Sequence, residues 1–466
     1  MNKKKRLVIL SLLILLITSS CAKRRLDFLN QRMLEKEEAY KEERQEEKTV
    51  FPDEIIDLSF EDYKAWYKDL KKPPHLNLPH PQSPKKLSQE QMLEDFDYYF
   101  EQMKENYPFF GVLKREYGID FLASYEDYRE KIKACKTDKD FIEAMKRINA
   151  DLKNHHANIG EKAYVEDTLA YYSGYWKNPS MYYEFLLLNS QKVRNRYDLE
   201  GAQTLGDSSK KIDRQGKDKK ELPETEKKDK DANMVIEDLG DGIALIKIKE
   251  MAAGKKLEED RKTFGKFLEN KDDYNKLVID IRDNAGGSMS YWRDFLLPEL
   301  LTEDKSLVNY MFFKDGKKTK EILDLENENV EAIKNINLDD LDLKSMEDLE
   351  DFSYYKKDSV EVKAKSDGFA GYVFLLTNEK VYSAAEGLAS FVKNTGSAII
   401  IGTNTGGDGI TLGLVNDVMP NSGLVFTYTN TLGYGPDGSI NEEEKTKPDI
   451  NASSYKESLE IIKNYQ

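Results

Sequence analysis

Cysteine and histidine are scarce in this sequence. The chain has 2 cysteines and 4 histidines among 466 residues, and none of them has the paired spacing of a structural zinc site. One cysteine, Cys135, lies in a helical pattern where a packed small side chain is expected. If the other, Cys21, is modified, no intramolecular disulfide can form. The composition therefore argues against a fold held together by metal or disulfides.

A basic surface is also missing. The net charge is −15, the charged fraction is 34%, and lysine and glutamate are interleaved through most polar stretches. Because nucleic-acid binding needs positive charge gathered on one face, the sequence predicts no nucleic-acid partner. The length is sufficient for two or three domains with a sizeable core.

The apolar run 7–17 is too short for a comfortable membrane span. It follows the basic residues 3–6 and has the length of a signal-peptide core. The segment 17–21, Ile-Thr-Ser-Ser-Cys, resembles the end of a bacterial lipoprotein signal, with Cys21 as the lipidated residue. An ordinary cleaved signal peptide and an uncleaved anchor are the alternatives. All three predict an exported protein, and the first predicts a body anchored to the cell-envelope membrane.

Composition and periodicity divide the chain into five segments. They are a signal peptide (1–20), a charged and proline-rich stalk (21–85), a helical module (86–165), an irregular and partly disordered linker (166–234) and a core domain (235–466). In the last segment apolar strand patterns alternate with helical patterns. This order predicts an α/β core with a largely parallel sheet, preceded by a small all-helical module.

Ser383 stands between an apolar strand pattern and an amphipathic helical pattern. A serine at a strand-to-helix turn exposes its hydroxyl beside the first N–H groups of the helix, as hydrolase nucleophiles require. Serine is also a common helix N-cap, so this position alone leaves both interpretations open.

Three further groups of residues can supply the other parts of a serine hydrolase site. Gly286 and Gly287 follow a predicted strand, and bare backbone there can direct an N–H at an oxyanion, although a tight turn explains them equally well. The pair His155-His156 ends the helical module and offers a base with a suitable pKa. The acidic segment 442–444 can orient a charged imidazole, or can simply be exposed.

Four motifs in this order resemble the tail-specific (C-terminal processing) and tricorn-core serine peptidase family. They are Asp-Ile-Arg-Asp-Asn-Ala-Gly-Gly at 280–287, Ser-Ala-Ala-Glu at 383–386, Ile-Gly-Thr-Asn-Thr-Gly-Gly-Asp-Gly at 401–409 and Lys-Pro-Asp-Ile at 447–450. Leu-Lys-Asn-His-His at 152–156 is similar to the family's Leu-x-Asp-Gly-His element. The resemblance implies a ClpP/crotonase-like core and a serine-type peptidase acting on peptides or proteins.

The sequence departs from the tail-specific branch in two ways. Asp408 stands where that branch carries its lysine base, and no peptide-binding PDZ module is recognisable. The resemblance to the tricorn-like branch instead implies His156 as the base and Glu442 as the third residue, with Glu443 and Glu444 close in register.

The resemblance thus implies that Ser383 attacks the scissile carbonyl and that His156 removes its proton. The oxyanion would be held by the N–H of Ala384 and of Gly286 or Gly287, with no metal or organic cofactor. Two alternatives remain. The chain can be a catalytically degenerate, envelope-anchored binding protein, or it can hydrolyse a non-peptide ester or amide.

Overall fold

The computed structural model describes residues 49–84, 86–200, 232–365 and 367–466. The expected signal peptide, Cys21, the first part of the expected stalk and residues 201–231 of the expected linker lie outside these ranges. No helix within the described ranges is both long and apolar enough to cross a bilayer.

The N-terminal half is mainly helical. Its elements are β1 (Thr49–Val50), α1 (Pro52–Ile56), α2 (Phe60–Lys68), β2 (His75–Leu76), α3 (Gln89–Asn106), α4 (Phe110–Tyr117), α5 (Tyr125–Lys133), α6 (Asp138–Ala150), β3 (Asn158–Ile159), α7 (Lys162–Tyr172), α8 (Pro179–Leu188) and α9 (Gln191–Tyr197). Capping boxes at Ser88 and Thr137 begin α3 and α6, because each N-cap and N3 side chain satisfies the other's backbone N–H.

Residues 49–84 are not a free stalk, so this part of the prediction was wrong. Val50, Ile55 and Tyr63 are buried in the same hydrophobic cluster as α3 to α9. The Tyr63 hydroxyl donates to the carbonyl of Pro179 at 2.7 Å, which ties α2 to the start of α8. The high charge and proline content drew attention away from the apolar side chains that pack this segment against the helices.

Residues 166–200, expected to be irregular, are also ordered helices. Asn178 caps α8 through the N–H of Met181, and Pro179 occupies the first helical position, where its missing N–H costs nothing. The apolar residues 185–188 are buried on all sides, so α8 lacks the amphipathic period that sequence analysis relies on.

The C-terminal half forms the α/β core. Its elements are β4 (Met234–Asp238), β5 (Ile243–Ile248), α10 (Gly254–Leu268), β6 (Lys276–Asp280), α11 (Leu297–Leu300), β7 (Lys305–Lys314), α12 (Lys317–Leu325), β8 (Glu331–Ala332), β9 (Phe352–Val362), β10 (Tyr372–Thr377), α13 (Ala384–Thr395), β11 (Ile399–Gly402), β12 (Leu414–Val418), β13 (Val425–Thr429), β14 (Leu432–Tyr434), α14 (Asn441–Glu444), β15 (Ile450–Asn451) and α15 (Tyr455–Asn464). Short 3₁₀ turns lie at Lys271–Asp273, Ile333–Asn335, Leu338–Leu341 and Met346–Asp351, and a π-helical turn at Tyr291–Leu296 leads into α11.

The central sheet has six strands in the order β15-β11-β10-β6-β5-β4. Every neighbouring pair is parallel except β4 and β5, which form an antiparallel pair at the edge. Parallel strands buried on both faces explain the continuous apolar runs of β6 and β10. The predicted fold class, an α/β core with a largely parallel sheet and a helical N-terminal region, is confirmed.

Two further sheets are antiparallel, and one of them joins the two halves of the chain. In one, β3 from the helical half pairs antiparallel with β13 of the core, which also pairs with β12. In the other, β7 and β9 form a long hairpin flanked by β14 and β8. We call residues 315–351, which connect β7 to β9, the hairpin insertion. The first of these sheets places the loop before β3 directly against the core.

Candidate active site

Ser383 occupies the turn between β10 and α13. Its φ of +56° lies in the left-handed region, which non-glycine residues adopt only when the surrounding structure holds them there. The Ser383 N–H donates to the carbonyl of Gly407 at 3.2 Å, and its carbonyl accepts from the N–H of Gly387 at 2.8 Å. Its hydroxyl makes no capping hydrogen bond to α13, so the turn does not use this side chain as an N-cap.

His156 lies in the loop before β3, and its imidazole contacts Asp408. The Nδ1 atom is 2.7 Å from Asp408 Oδ2, and both residues are buried. The backbone carbonyl of His156 accepts a hydrogen bond from the Thr427 hydroxyl at 2.7 Å, which fixes this loop on β13. The neighbouring His155 is exposed. Of the predicted histidine pair, only His156 is therefore held against a carboxylate.

Asn154 organises the His156 loop with both ends of its amide. Its Oδ1 accepts from the N–H of His156 at 2.9 Å and of Ala157 at 3.1 Å. Its Nδ2 donates to Tyr382 Oη at 3.0 Å and to Glu442 Oε1 at 2.9 Å. An aspartate here would have no N–H to offer these oxygens, so the asparagine fits a site with two nearby carboxyl groups.

Glu442 reaches the His156 loop through Asn154 and makes no hydrogen bond to the imidazole within the described ranges. Burial raises the pKa of Glu442 well above 4.5, and the charge of Asp408 raises it further. Its Oε2 is buried with no hydrogen-bond partner in the described structure. Asp408, and not Glu442, therefore contacts the His156 imidazole, and Glu442 is a buried acid nearby.

The double glycine lies beside the start of α13. A Cβ added to Gly286 would be 2.8 Å from Ser383 Cβ and 2.9 Å from the Ala384 nitrogen. The Gly286 N–H already donates to Asn284 Oδ1 at 2.9 Å. In contrast, the N–H groups of Gly287 and Ala384 have no acceptor among the described residues. Of the two candidate glycines, Gly287 is the one with a donor to offer.

A second buried cluster connects the serine helix with the loop that carries Asp408. Glu386 Oε1 accepts from Asn441 Nδ2 at 2.8 Å and from the Thr446 hydroxyl at 2.7 Å. Asn441 Oδ1 accepts in turn from the N–H of Gly409 at 2.7 Å. Burial raises the pKa of Glu386 to about 7. Asn441 therefore bridges α13 and the residue that follows Asp408.

Ser383, His156 and the double glycine open onto one cavity of about 870 Å³. Its lining includes Ser383, His156, Ala384 and both glycines, 286 and 287. The lining also includes tyrosine side chains from the segment 164–175, which covers α7 and the turn after it, and Ser180, Met181 and Glu184 from α8. A volume of this size is typical of a site for a small ligand or for several residues of a peptide.

Residues 242–452 match the model of peptidase family S41. Over these residues the chain is similar to peptidase family S41. The S41 segment contains Ser383, Asp408 and Glu442, and His156 lies outside it in the helical half. The resemblance to the tail-specific and tricorn-core peptidases is thereby confirmed, and the chain is a serine-type peptidase by family.

No curated protein matches the chain significantly. Solved structures that resemble this S41 chain include a candidate peptidase from Parabacteroides merdae (18% identity, 79% of this chain and 92% of that chain, TM-score 0.47). Mature CPAF matches at 15% identity over 78% of this chain and 92% of its own, with a TM-score of 0.48. A lipoprotein from Streptococcus agalactiae matches at 15% over 84% and 99%, with a TM-score of 0.43.

Sequence analysis missed Asp408 as the partner of His156. Comparison with the motif of the tail-specific branch showed only that Asp408 stands where that branch carries a lysine, and gave the aspartate no role of its own. The signal that pointed to it is its own chemistry, since a carboxylate in a glycine-rich loop after a core strand can face a histidine. Tyr382, whose ring centroid is 4.8 Å from that of His156, was also left unassigned.

Proposed function

We propose that this S41 member is an exported, lipid-anchored serine peptidase that uses Ser383 as the nucleophile and His156 as the base. The observation that carries the proposal is the 2.7 Å contact between His156 Nδ1 and Asp408 Oδ2 at the cavity that Ser383 lines. This contact supplies the group that orients an imidazole in serine hydrolases, where Asp408 takes the role that family resemblance gave to Glu442.

The reaction begins with a proton transfer. With Nδ1 occupied by Asp408, Nε2 of His156 is the nitrogen that accepts the proton of the Ser383 hydroxyl. The Ser383 oxygen attacks the peptide carbonyl carbon and forms a tetrahedral intermediate. His156 then gives its proton to the departing amine, which leaves an acyl-enzyme, and water activated by His156 hydrolyses this ester. Asp408 stabilises the imidazolium and fixes its orientation.

The negative charge of the intermediate develops on the former carbonyl oxygen. The N–H groups of Gly287 and Ala384 are the donors that the proposal assigns to it, because neither is engaged within the described residues. Ala384 is the first residue of α13, so the positive end of that helix adds to the stabilisation. Glu442 is proposed to stay protonated and to support the His156 loop through Asn154.

A fluorophosphonate probe tests the proposal on the mature chain. Labelling of wild type, lost in Ser383→Ala and His156→Ala and strongly slowed in Asp408→Asn, is the expected result. A folded wild type without labelling would favour an envelope-anchored binding protein. Labelling that persists in Ser383→Ala would move the nucleophile to another serine. Comparing peptide and ester turnover then distinguishes a peptidase from a hydrolase of non-peptide substrates.

The lipid anchor at Cys21 is proposed from the signal-like segment that precedes it. It is tested by expressing the full chain in bacteria supplied with an alkyne-tagged fatty acid. The label and the membrane fraction are expected to be lost in Cys21→Ser and retained in Cys135→Ser, which removes the other cysteine. Equal labelling of wild type and Cys21→Ser would contradict the anchor and leave the peptidase proposal intact.

A further inference from the structure

Arg115, on α4 of the helical half, binds two carboxylates at once. Its Nε and Nη2 donate to the two oxygens of Glu443 at 2.8 and 2.7 Å. Its Nη1 and Nη2 donate to the two oxygens of Asp348 at 2.8 and 2.6 Å. The guanidinium is partly buried, and the Asp348 side chain is 8% exposed. Paired bidentate contacts of this kind fix the relative position of three chain segments.

One of these segments is α14, whose side chains bond to residues close in sequence to Ser383, Asp408 and His156. Asn441 bridges Glu386 on the serine helix and the N–H of Gly409 beside Asp408. The next residue, Glu442, accepts from Asn154 of the His156 loop. The residue after that is Glu443, held by Arg115. Asn441, Glu442 and Glu443 thus contact, in that order, the helix that follows Ser383, the loop that carries His156, and α4.

The hairpin insertion is bonded both to α4 and to the segment that leads into α14. Asp348 lies so close to Gly111, four residues before Arg115, that a β-carbon on this glycine would overlap the carboxylate. The Lys344 N–H donates to the carbonyl of Gly438 at 2.7 Å, and Tyr434 Oη donates to the carbonyl of Ser345 at 3.1 Å. The insertion is therefore bonded to the strand and loop that lead into α14.

We propose that Arg115 is a positioning residue for the reaction, acting through Glu443 and α14 on the His156 loop and on Asp408. The inference rests on the proposed function, because its target is the alignment of His156 with Ser383. A helix of four residues has too few backbone hydrogen bonds to fix its own orientation. The clamp supplies that orientation, and it does so from the half of the chain that carries His156.

An ordinary surface ion pair would have little effect, since exposed pairs contribute about 0–1 kcal/mol. The helical half contains a matched example in Arg129 on α5. Its Nε and Nη2 bind Asp97 at 3.0 and 3.1 Å, and its side chain is exposed to a similar degree, 27% against 31% for Arg115. Among the described residues, Arg129 has no hydrogen bond or ion pair with α14. Arg129→Gln therefore shows the effect of losing an ion pair without losing the contact that holds α14.

The experiment measures the rate constant of fluorophosphonate labelling in the mature chain and in five variants. Arg115→Gln and Glu443→Gln are each expected to slow labelling about tenfold, and the double variant to slow it no more than either single one. Arg115→Lys is expected to recover only part of the rate, because an ammonium cannot bind two carboxylates bidentately. Arg129→Gln is expected to label within about twofold of wild type, because Arg129 pairs with Asp97 and not with α14.

Hydrogen exchange provides a second readout that does not need catalysis. The backbone amides of residues 153–157 are expected to exchange faster in Arg115→Gln than in Arg129→Gln. Equal labelling and equal exchange in these two variants would overturn the inference while wild-type labelling still supported the proposed function. If wild type itself is not labelled, the proposed function fails, and unchanged exchange in Arg115→Gln would then overturn the clamp independently. Should Arg115→Gln fail to fold, Glu443→Gln carries the same comparison.

Discussion

His156 Nδ1 and Asp408 Oδ2 meet at 2.7 Å across 252 positions of sequence. The contact joins a loop of the helical half to a glycine-rich loop of the S41 segment, and Asp408 itself has a φ of +49°. A residue held in a left-handed conformation at a buried contact indicates that the fold imposes this geometry.

Asp408→Asn should reduce the rate constant of peptide hydrolysis or of probe labelling by about 10³- to 10⁴-fold. The amide keeps the size of the side chain but removes the charge that stabilises the imidazolium and sets its tautomer. The measurement is single-turnover labelling, with circular dichroism to verify folding. A variant that retains a tenth of the wild-type rate would show that Asp408 does not act on the base.

Glu442→Gln should change the same rate constant by less than about tenfold. Burial and the charge of Asp408 raise the pKa of Glu442 well above 4.5, which favours the neutral carboxyl, and an amide replaces that form without loss of charge. Glu442→Ala is the comparison, because it leaves the Asn154 amide without its acceptor. A loss in Glu442→Gln as large as that in Asp408→Asn would restore Glu442 as the group that acts on the base.

Gly286→Ala should abolish at least about 99% of activity, comparable to loss of an oxyanion donor. The added methyl group would come within 2.9 Å of the Ala384 nitrogen, whose N–H is proposed to bind the oxyanion. Gly118→Ala is the matched control, since Gly118 has a φ of +68° and open space around its Cα. The control should cost about 1 kcal/mol of stability and leave activity unchanged.

Raising the pH from about 5 to 8 should lower the thermal midpoint, in part through Glu386. Its folded-state pKa is raised by burial to about 7 from an ordinary value of 4.5. Between these two values the unfolded chain has lost the proton while the folded chain retains it, so stability falls as pH rises through this window and levels off above pH 7. The contribution is on the order of a few kcal/mol.

Glu386→Gln removes this titration and should flatten the pH dependence. Glu184, whose pKa burial also raises to about 7, titrates in the same direction and keeps part of the slope in the variant. The measurement is the thermal midpoint at several pH values for both proteins. Parallel curves for wild type and Glu386→Gln would show that Glu386 is already ionised in the fold.

The sequence located the residues that sit in short linear patterns. Ser383 was recognised because a strand, a turn and an amphipathic helix follow one another within a few residues. The parallel core was recognised from apolar runs that also lie close together in sequence. His156 required a family resemblance, since nothing in the composition of its loop separates it from His155. The structure separates them by burial.

Contacts between distant segments could not be predicted in this way. Asp408 faces His156 only because β3 pairs with β13, and two-residue strands such as β3 have no recognisable period. The choice between Gly286 and Gly287 depends on a single hydrogen bond that the Gly286 N–H donates to Asn284 Oδ1, and no sequence pattern predicts that bond. Helices α7 to α9 were overlooked because tertiary burial, not amphipathic patterning, holds them.

The pairing of β3 with β13 has a consequence for the life of the polypeptide. The base lies before β3, whereas the serine, its acid partner and the strand that positions the base all come from the last quarter of the chain. A polypeptide that contains His156 but ends before Ser383 therefore lacks the serine from which His156 is proposed to remove a proton. Under the proposed mechanism, proteolytic competence therefore requires that the chain be synthesised through β13 and that β13 dock against β3.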